Sequence, residues 1–529
     1  MLTEETITTP RRATRKEWIG LAVIALPCAI YSMDLTVLNL AIPQLTEDLR
    51  PSSAELLWLI DIYGFMVAGS LITMGTLGDR IGRRRLLMIG AAAFAAASVL
   101  AAMSKTPEML VATRALLGLA GATLAPSTLS LIRNMFLDEK QRTTAIAVWI
   151  TSFSVGGAIG PLLGGLVLEF FWWGAAFLVA VPVMALLLLL GPRLLPEYRD
   201  PTAGRPDLPS AALSLLAVLA VIFGLKQFAQ DGFGWLAAAA VVVGVALGTV
   251  FVRRQRRLRD PLIDLRLFSI PSFSAALAAY GLGILVVFGG FLFIPQFLQL
   301  VLGLSPLEAG LWMLPWALGF IAGSMLTPRL ASLVPPWTLM AGGFVLSAIG
   351  CVVFTQLDAG SGFTTIVVGT VLFSLGGGPV FTITTDMIIG SAPPERAGAA
   401  AGVSETAAEL GGALGIAIFG SIGVAIYRGE IAERVPEGVP AQAADVARDT
   451  LGGAVEVAGQ LPDGVGTTLV DAARDAFVSG VHVSAWISVI GTLGLALLAA
   501  LLLRRLGRGP DAEVAVSEQG LEAEPSPAT

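Results

Sequence analysis

Residues 75–85 read "GTLGDRIGRRR", from Gly75 to Arg85. This short, strongly charged segment lies between two long apolar runs, "LLWLIDIYGFMVAGSLITM" before it and "LLMIGAAAFAAASVLAAM" after it. Gly75 and Gly78 carry no side chain and permit close helix packing. Asp79 is placed to pair with a nearby arginine. A loop of this composition pins two helix ends together. The runs on either side are about 20 residues long, enough to cross a bilayer core as helices.

The pattern recurs along the whole chain. Of its 529 residues, 55% are hydrophobic and only 14% are charged, with a mean hydropathy of +0.79. Soluble domains carry about 25% charged residues, so the composition defines a polytopic membrane protein. Apolar runs predict fourteen spans, at 18–41, 56–77, 86–104, 108–131, 143–168, 171–191, 209–228, 235–252, 273–300, 307–329, 337–357, 363–390, 398–427 and 480–506. The N-terminal stretch "MLTEETITTPRRATRKEW" is polar for too long to open a cleavable signal peptide.

Basic residues set the orientation. "RRATRK", "DRIGRRR", "RNMFLDEKQR", "RLLPEYRDPTAGR", "RRQRRLRDPLIDLR" and "RRLGR" fall on one side if the spans alternate. With Arg329 and Arg396 they hold about 25 of the 33 Lys and Arg residues, which makes that side cytoplasmic, with both termini on it. The spans group as six, two and six. The expected divisions are a tail at 1–17, a six-helix bundle at 18–191, two additional helices with a basic linker at 192–271, a second six-helix bundle at 272–506 and a disordered acidic tail at 507–529. Within the second bundle, 428–479 forms a long outer loop. Its halves "AADVARDTLGGAVEVAGQ" and "GTTLVDAARDAFVSG" are amphipathic at helical or hairpin spacing, or else a solvated connector. Six plus six is the repeat plan of transporters that bind substrate between halves.

Several chemistries are excluded. His482 is the single histidine, and Cys28 and Cys351 lie singly in apolar runs. No disulfide framework, Cys-x-x-Cys metal pattern or nucleophile–base set is expected. No Gly-x-x-x-x-Gly-Lys-Ser/Thr pattern occurs, which points away from ATP as the energy source and toward an ion gradient. Cofactors, metals and nucleic acid are not expected partners, and the chain is expected to act as a monomer among membrane lipids.

Acids inside apolar runs carry the chemistry. Asp34 interrupts "YSMDLTVLNLAIP" and Asp61 interrupts "LLWLIDIYGF", with Trp58 one turn away and Tyr63 close by. Glu405 and Glu409 share one face of span thirteen. A carboxylate at bilayer depth costs about 2.5 kcal/mol or more, so such groups usually face a cavity and have a function. Desolvation favours the protonated form of an acid, which suits a group that takes up and releases protons. A negative site in an apolar cavity also attracts lipophilic cations, aided by aromatic faces. Proton and cation then compete for one charge. Arg114 is the one basic residue central to an apolar run, a partner for Asp34 or Asp61. Asp386 reads as structural, and Lys226 and Asp231 as flanking an outer loop, with Lys226 snorkelling.

Gly156 to Gly165 reads "GGAIGPLLGG", with Gly156, Gly160 and Gly164 on one face and Pro161 allowing a bend. Together with Gly75–Arg85 this resembles the signature motifs of the major facilitator superfamily and of its antiporters. "MDLTVLNLAIP", "WLIDIYG", "RALLGLAGATLAPSTLSLIRNMF" and "SETAAELGGALG" narrow the resemblance to the fourteen-helix drug:proton antiporters, the QacA/LfrA-like multidrug exporters. It covers about Trp18 to Arg505. It implies an all-α major facilitator fold with two six-helix bundles plus two extra transmembrane helices. It implies Asp79 and Arg83, with Gly75, as an inner latch, and Asp34, Asp61, Glu405 and Glu409 as proton-coupling acids. Asp34, Asp61, Tyr63 and Glu409 are the expected contacts for lipophilic cations. Arg114, Gly156, Gly160 and Pro161 are expected to serve conformational change. Leu117 stands where many relatives have Gln, and the tenth span has an acid only at its rim, Glu308. The expectation is proton-coupled efflux of quaternary ammonium compounds and dyes across the bacterial cell membrane. A dedicated exporter of one metabolite or antibiotic, and an assembly role for the outer loop, are the alternatives.

Overall fold

The computed structural model describes residues 12–51, 53–199, 207–231, 234–258, 261–358, 363–436 and 438–506. All regular structure among them is helical. The first half holds α1 (Arg15–Leu49), α2 (Ser53–Ile81), α3 (Arg83–Ala102), α4 (Pro107–Gly121), α5 (Leu124–Met135), α6 (Glu139–Phe170), α7 (Ala175–Leu178) and α8 (Ala180–Leu194). An accessory hairpin follows, α9 (Leu208–Asp231) and α10 (Trp235–Gln255). The second half holds α11 (Pro271–Phe291), α12 (Ile294–Gln296), α13 (Pro306–Trp312), α14 (Leu314–Ala331), α15 (Pro336–Phe354), α16 (Phe363–Ser391) and α17 (Ala397–Ala432). It closes with α18 (Ala441–Asp449), α19 (Leu451–Ala458) and α20 (Asp463–Leu506).

Thirteen helical stretches among the described residues are long and apolar enough to cross a bilayer. The remaining expected span coincides with the 29-residue helix α2. Four apolar runs that read as continuous are broken: between α4 and α5, between α7 and α8, after α11 and between α13 and α14. Each break lies two to four residues before a proline, namely Pro126, Pro182, Pro295 and Pro315. Proline lacks the N–H that would bond back to residue i−4, and its ring clashes with that carbonyl. Helix starts are set by local chemistry. The Thr106 hydroxyl accepts from the Met109 amide, with Pro107 in the first turn, and Asp138 accepts from Gln141 at the head of α6.

Within each half, helices pack through small residues. Helix α1 lies along α6, where a Cβ on Gly156 would fall 2.0 Å from the Ala29 carbonyl oxygen. Only glycine allows that approach, and bare backbone contact of this kind substitutes for the hydrophobic drive that lipid does not supply. The perimeter is apolar, with side chains such as Leu189 and Ile490 about 70% exposed, as a lipid-facing surface requires.

The expected outer loop 428–479 is largely helical. Helix α17 runs on to Ala432 and α20 begins at Asp463, so both extend into that segment; α17 alone spans ~54 Å. Helices α18 and α19 fold back on them. The Tyr427 hydroxyl donates to the Ala447 carbonyl at 2.7 Å, and Arg474 Nε donates to Leu300 O at 3.2 Å. Ala447, Leu451 and Ala454 join the apolar cluster of Phe297 and Val301. The segment therefore packs as a cap on the second half.

Candidate transport site

Asp34 comes from the middle of α1 and Arg114 from α4, and the structure brings them together. Arg114 Nη1 donates to Asp34 Oδ2 at 2.8 Å. The guanidinium also donates from Nε to the Leu59 carbonyl at 3.1 Å and lies 5.0 Å over the Tyr63 ring. Asp34 is 5% exposed and Arg114 1%. Tyr63 turns its hydroxyl to the Tyr31 carbonyl at 3.3 Å. A charge at this depth is tolerable only when paired and hydrogen-bonded, and every contact above serves that end. Of the two acids open as partners for Arg114, Asp34 is the one seen. The side chain of Asp61 lies outside those described, as does that of Pro161.

Glu405 and Glu409 project from α17 toward the same region. Their carboxylates repel one another, and Tyr280 of α11 lies beside Glu405. Tyr31 of α1 lies in the field of both glutamates, and Tyr63 lies in the fields of Asp34 and Glu409. Glu405 Oε1 and Ser404 Oγ are buried without hydrogen-bond partners among the described residues. Buried polar atoms of this kind are rare in a finished core and common where a ligand, proton or water is taken up. The acids of the two halves thus lie around one group of tyrosines, Tyr31, Tyr63 and Tyr280.

At the basic end of the bundle, α2 and α17 touch backbone to backbone. A Cβ on Gly75 would lie 2.2 Å from Gly398 O. Asp79 caps the start of α17, accepting from the Gly398 amide at 3.1 Å and the Ala399 amide at 2.9 Å. A carboxylate at a helix N-terminus satisfies orphan N–H groups and the positive end of the dipole. Arg83 locks that carboxylate in place, with Nε donating to Asp79 Oδ1 at 2.9 Å. It also donates to Ser130 O at 3.3 Å and to Pro394 O at 2.5 Å, and it stacks 5.0 Å over Tyr198. Gly75, Asp79 and Arg83 therefore tie the two halves together.

A second tie, read in the sequence only as a structural acid, lies nearby. Asp386 of α16 accepts from Arg142 Nε and Thr143 Oγ1 of α6, each at 2.6 Å. Sequence reasoning missed Arg142, Thr143, Tyr198 and Phe177, which packs 6.0 Å from the Arg114 guanidinium. Arg142 sits in a basic segment where no one residue stands out, and ring contacts across the fold leave no local pattern. Trp58 is 44% exposed and stacks near Phe223 of the accessory hairpin. Lys226, expected to snorkel, has its ammonium 4.9 Å over Phe65 of α2. Gly156 joins α1 to α6 as above, and Gly160 is buried on the same helix.

Two helical halves, closed on each other at one end and with acids of both gathered around the same tyrosines, define a multi-pass membrane transporter. The Major Facilitator Superfamily model matches residues 24–416. Multidrug efflux pump LfrA of Mycolicibacterium smegmatis is 44% identical over 95% of this chain and 99% of its own length. Methyl viologen resistance protein SmvA of Salmonella typhimurium is 35% identical over 84% of this chain and 89% of its own length. Among solved structures, the human organic anion transporter MFSD10 matches with a TM-score of 0.61 at 16% identity, over 92% of this chain and 99% of that one, which speaks to the fold alone. The chain belongs to the Major Facilitator Superfamily, on the branch of these efflux pumps.

Proposed function

We propose that this protein is a proton-coupled exporter of lipophilic cations in the bacterial cell membrane, with its basic end and both termini in the cytoplasm. The observation that carries the reading is the grouping of acids from both halves, buried Asp34 beside Arg114 and half-buried Glu405 with Glu409, around Tyr31, Tyr63 and Tyr280. A cation with apolar rings fits such a site by charge and by ring quadrupole. The names of LfrA and SmvA, pumps or resistance proteins for drugs and methyl viologen, support small-molecule export.

On this reading the end closed by Asp79 and Arg142 is the cytoplasmic one, and the site exchanges with the outside. Protons arriving from outside neutralise the acids, the cation loses its counter-charge and leaves, and the halves rock to reopen inward. Arg114 holds Asp34 when neither cation nor proton is bound. Energy enters as the proton gradient, and no cofactor takes part. Glu405 and Glu409 act as the coupling acids of the second half, and Asp61 shares this role on α2.

Ethidium efflux from energised cells, with and without a protonophore, tests the reading. Efflux that stops when the gradient collapses is the expected result. A well-expressed protein that moves no ethidium would sink the broad cation reading and favour a dedicated exporter of one compound.

A further inference from the structure

The accessory hairpin belongs to neither six-helix half, yet α9 touches both, packing against α2 and α17. Val218 and Ile222 of α9 form one cluster with Phe65 and Ala68 of α2, joined by Leu410 and Ala413 of α17. Leu410 follows Glu409 directly. A Cβ on Gly69 of α2 would lie 2.5 Å from Leu215 of α9, so the hairpin is pressed into the seam between the halves. At this seam Lys226 leaves α9 with its ammonium over the Phe65 ring, 4.9 Å from its centroid. That charge lies within electrostatic range of Glu409. The cytoplasmic base of the hairpin is tied down as well, since Arg254 donates to Asp207 at 3.0 Å and Gln255 bonds Ser210 and the Leu262 amide. Thr76 of α2 then donates to Leu262 O at 2.7 Å.

We propose that Lys226 is a tethered counter-cation for Glu409, carried by the accessory hairpin, that sets how strongly the site binds cationic substrate. The inference rests on the cation-export reading above. A positive charge fixed at the seam lowers the attraction between the Glu409 carboxylate and any incoming cation. It leaves uncharged ligands almost unaffected. The hairpin is then a part of the site: Lys226 is a positioning and specificity residue that acts through Glu409. The Phe65 face holds the ammonium in place by its quadrupole.

The test is fluorescence titration of ethidium onto the full chain in lipid nanodiscs. Lys226→Gln, with Lys226→Met as a second neutral variant, is expected to bind ethidium roughly tenfold tighter than wild type. Lys226→Arg, which keeps the charge, is expected to match wild type. In a Glu409→Gln background, Lys226→Gln is expected to change affinity less than about twofold, because the interaction partner is gone. If Glu409→Gln weakens ethidium binding but the neutral Lys226 variants leave it unchanged, the inference fails while the export reading stands. An equal effect of Lys226→Gln in both backgrounds overturns it too, since Lys226 would then act without Glu409. Ethidium binding indifferent to Glu409→Gln overturns both.

Discussion

Arg114 is almost wholly buried, and its guanidinium is held by one carboxylate and main-chain carbonyls. Removing only the carboxylate leaves a bare charge inside the bundle, a loss of about 3–5 kcal/mol for buried pairs. Asp34→Asn is therefore expected to lower the thermal midpoint of the purified protein and to abolish proton-linked ethidium efflux. Asp34→Leu combined with Arg114→Met is expected to recover most of the midpoint and none of the efflux. Thermal unfolding in detergent and the efflux assay read the two effects separately; normal efflux from Asp34→Asn would refute the role given to this acid. Asp34, Asp79, Arg83 and Arg114 were legible in the sequence because a charge inside or just beside an apolar run has few tolerable explanations. Their partners were not. Arg83 donates to Pro394 across 311 positions of chain, and a main-chain acceptor can belong to any residue type. The choice between Asp34 and Asp61 for Arg114 needed three-dimensional packing.

Helices α2 and α17 meet where neither has side chains. Gly75→Ala places a methyl group against Gly398 O, at 2.2 Å, which only movement of a helix can relieve. The expected outcome is a bundle that no longer closes fully at its basic end, with faster alkylation of a cysteine introduced near Ser391. Gly64→Ala on the same helix meets nothing within 4 Å and is the control, expected to leave alkylation unchanged. At this scale the sequence was a good guide to how many elements exist and a poor one to where they break. Apolar periodicity is blind to a missing N–H, and Pro126, Pro295 and Pro315 interrupt runs that hydropathy reads as single spans. The cap at α18 and α19 falls on the first of the two amphipathic halves, while the second lies within α20, and the sequence alone left a solvated connector open as the alternative. The seat of the cap depends on Tyr427, which bonds Ala447, and on the apolar contact of Leu451 and Ala454 with Phe297 and Val301, which no local pattern marks.

The whole molecule is held shut at one end by two ties of different make. Asp79 bridges to the head of α17, and Asp386 bridges to Arg142 and Thr143. Either alone leaves the other in place. Asp79→Asn and Asp386→Asn are each expected to shift part of the population toward an open basic end, and the pair together to shift it by nearly the sum of the two free energies. Electron–electron resonance distances between spin labels on α6 and α16 report that balance; no change in the double variant would remove the ties from the conformational mechanism. The six-two-six plan and the family were readable from motif spacing and loop charge. The seat of the accessory hairpin was not, because its apolar surface does not encode which neighbours it meets.

The tie at Asp79 has an asymmetric inheritance. On one side stands a carboxylate that a single nucleotide change can erase. On the other stand the amides of Gly398 and Ala399, which every amino acid except proline supplies. The bond at position 399 thus does not depend on side-chain identity, although Ala399 is only 4% exposed and leaves little room for a larger residue, whereas position 398 is confined to glycine by the Gly75 carbonyl oxygen and the Asp79 carboxylate, each 2.5 Å from where a Cβ would stand. Half of this lock is written in the main chain, where selection has almost nothing to edit.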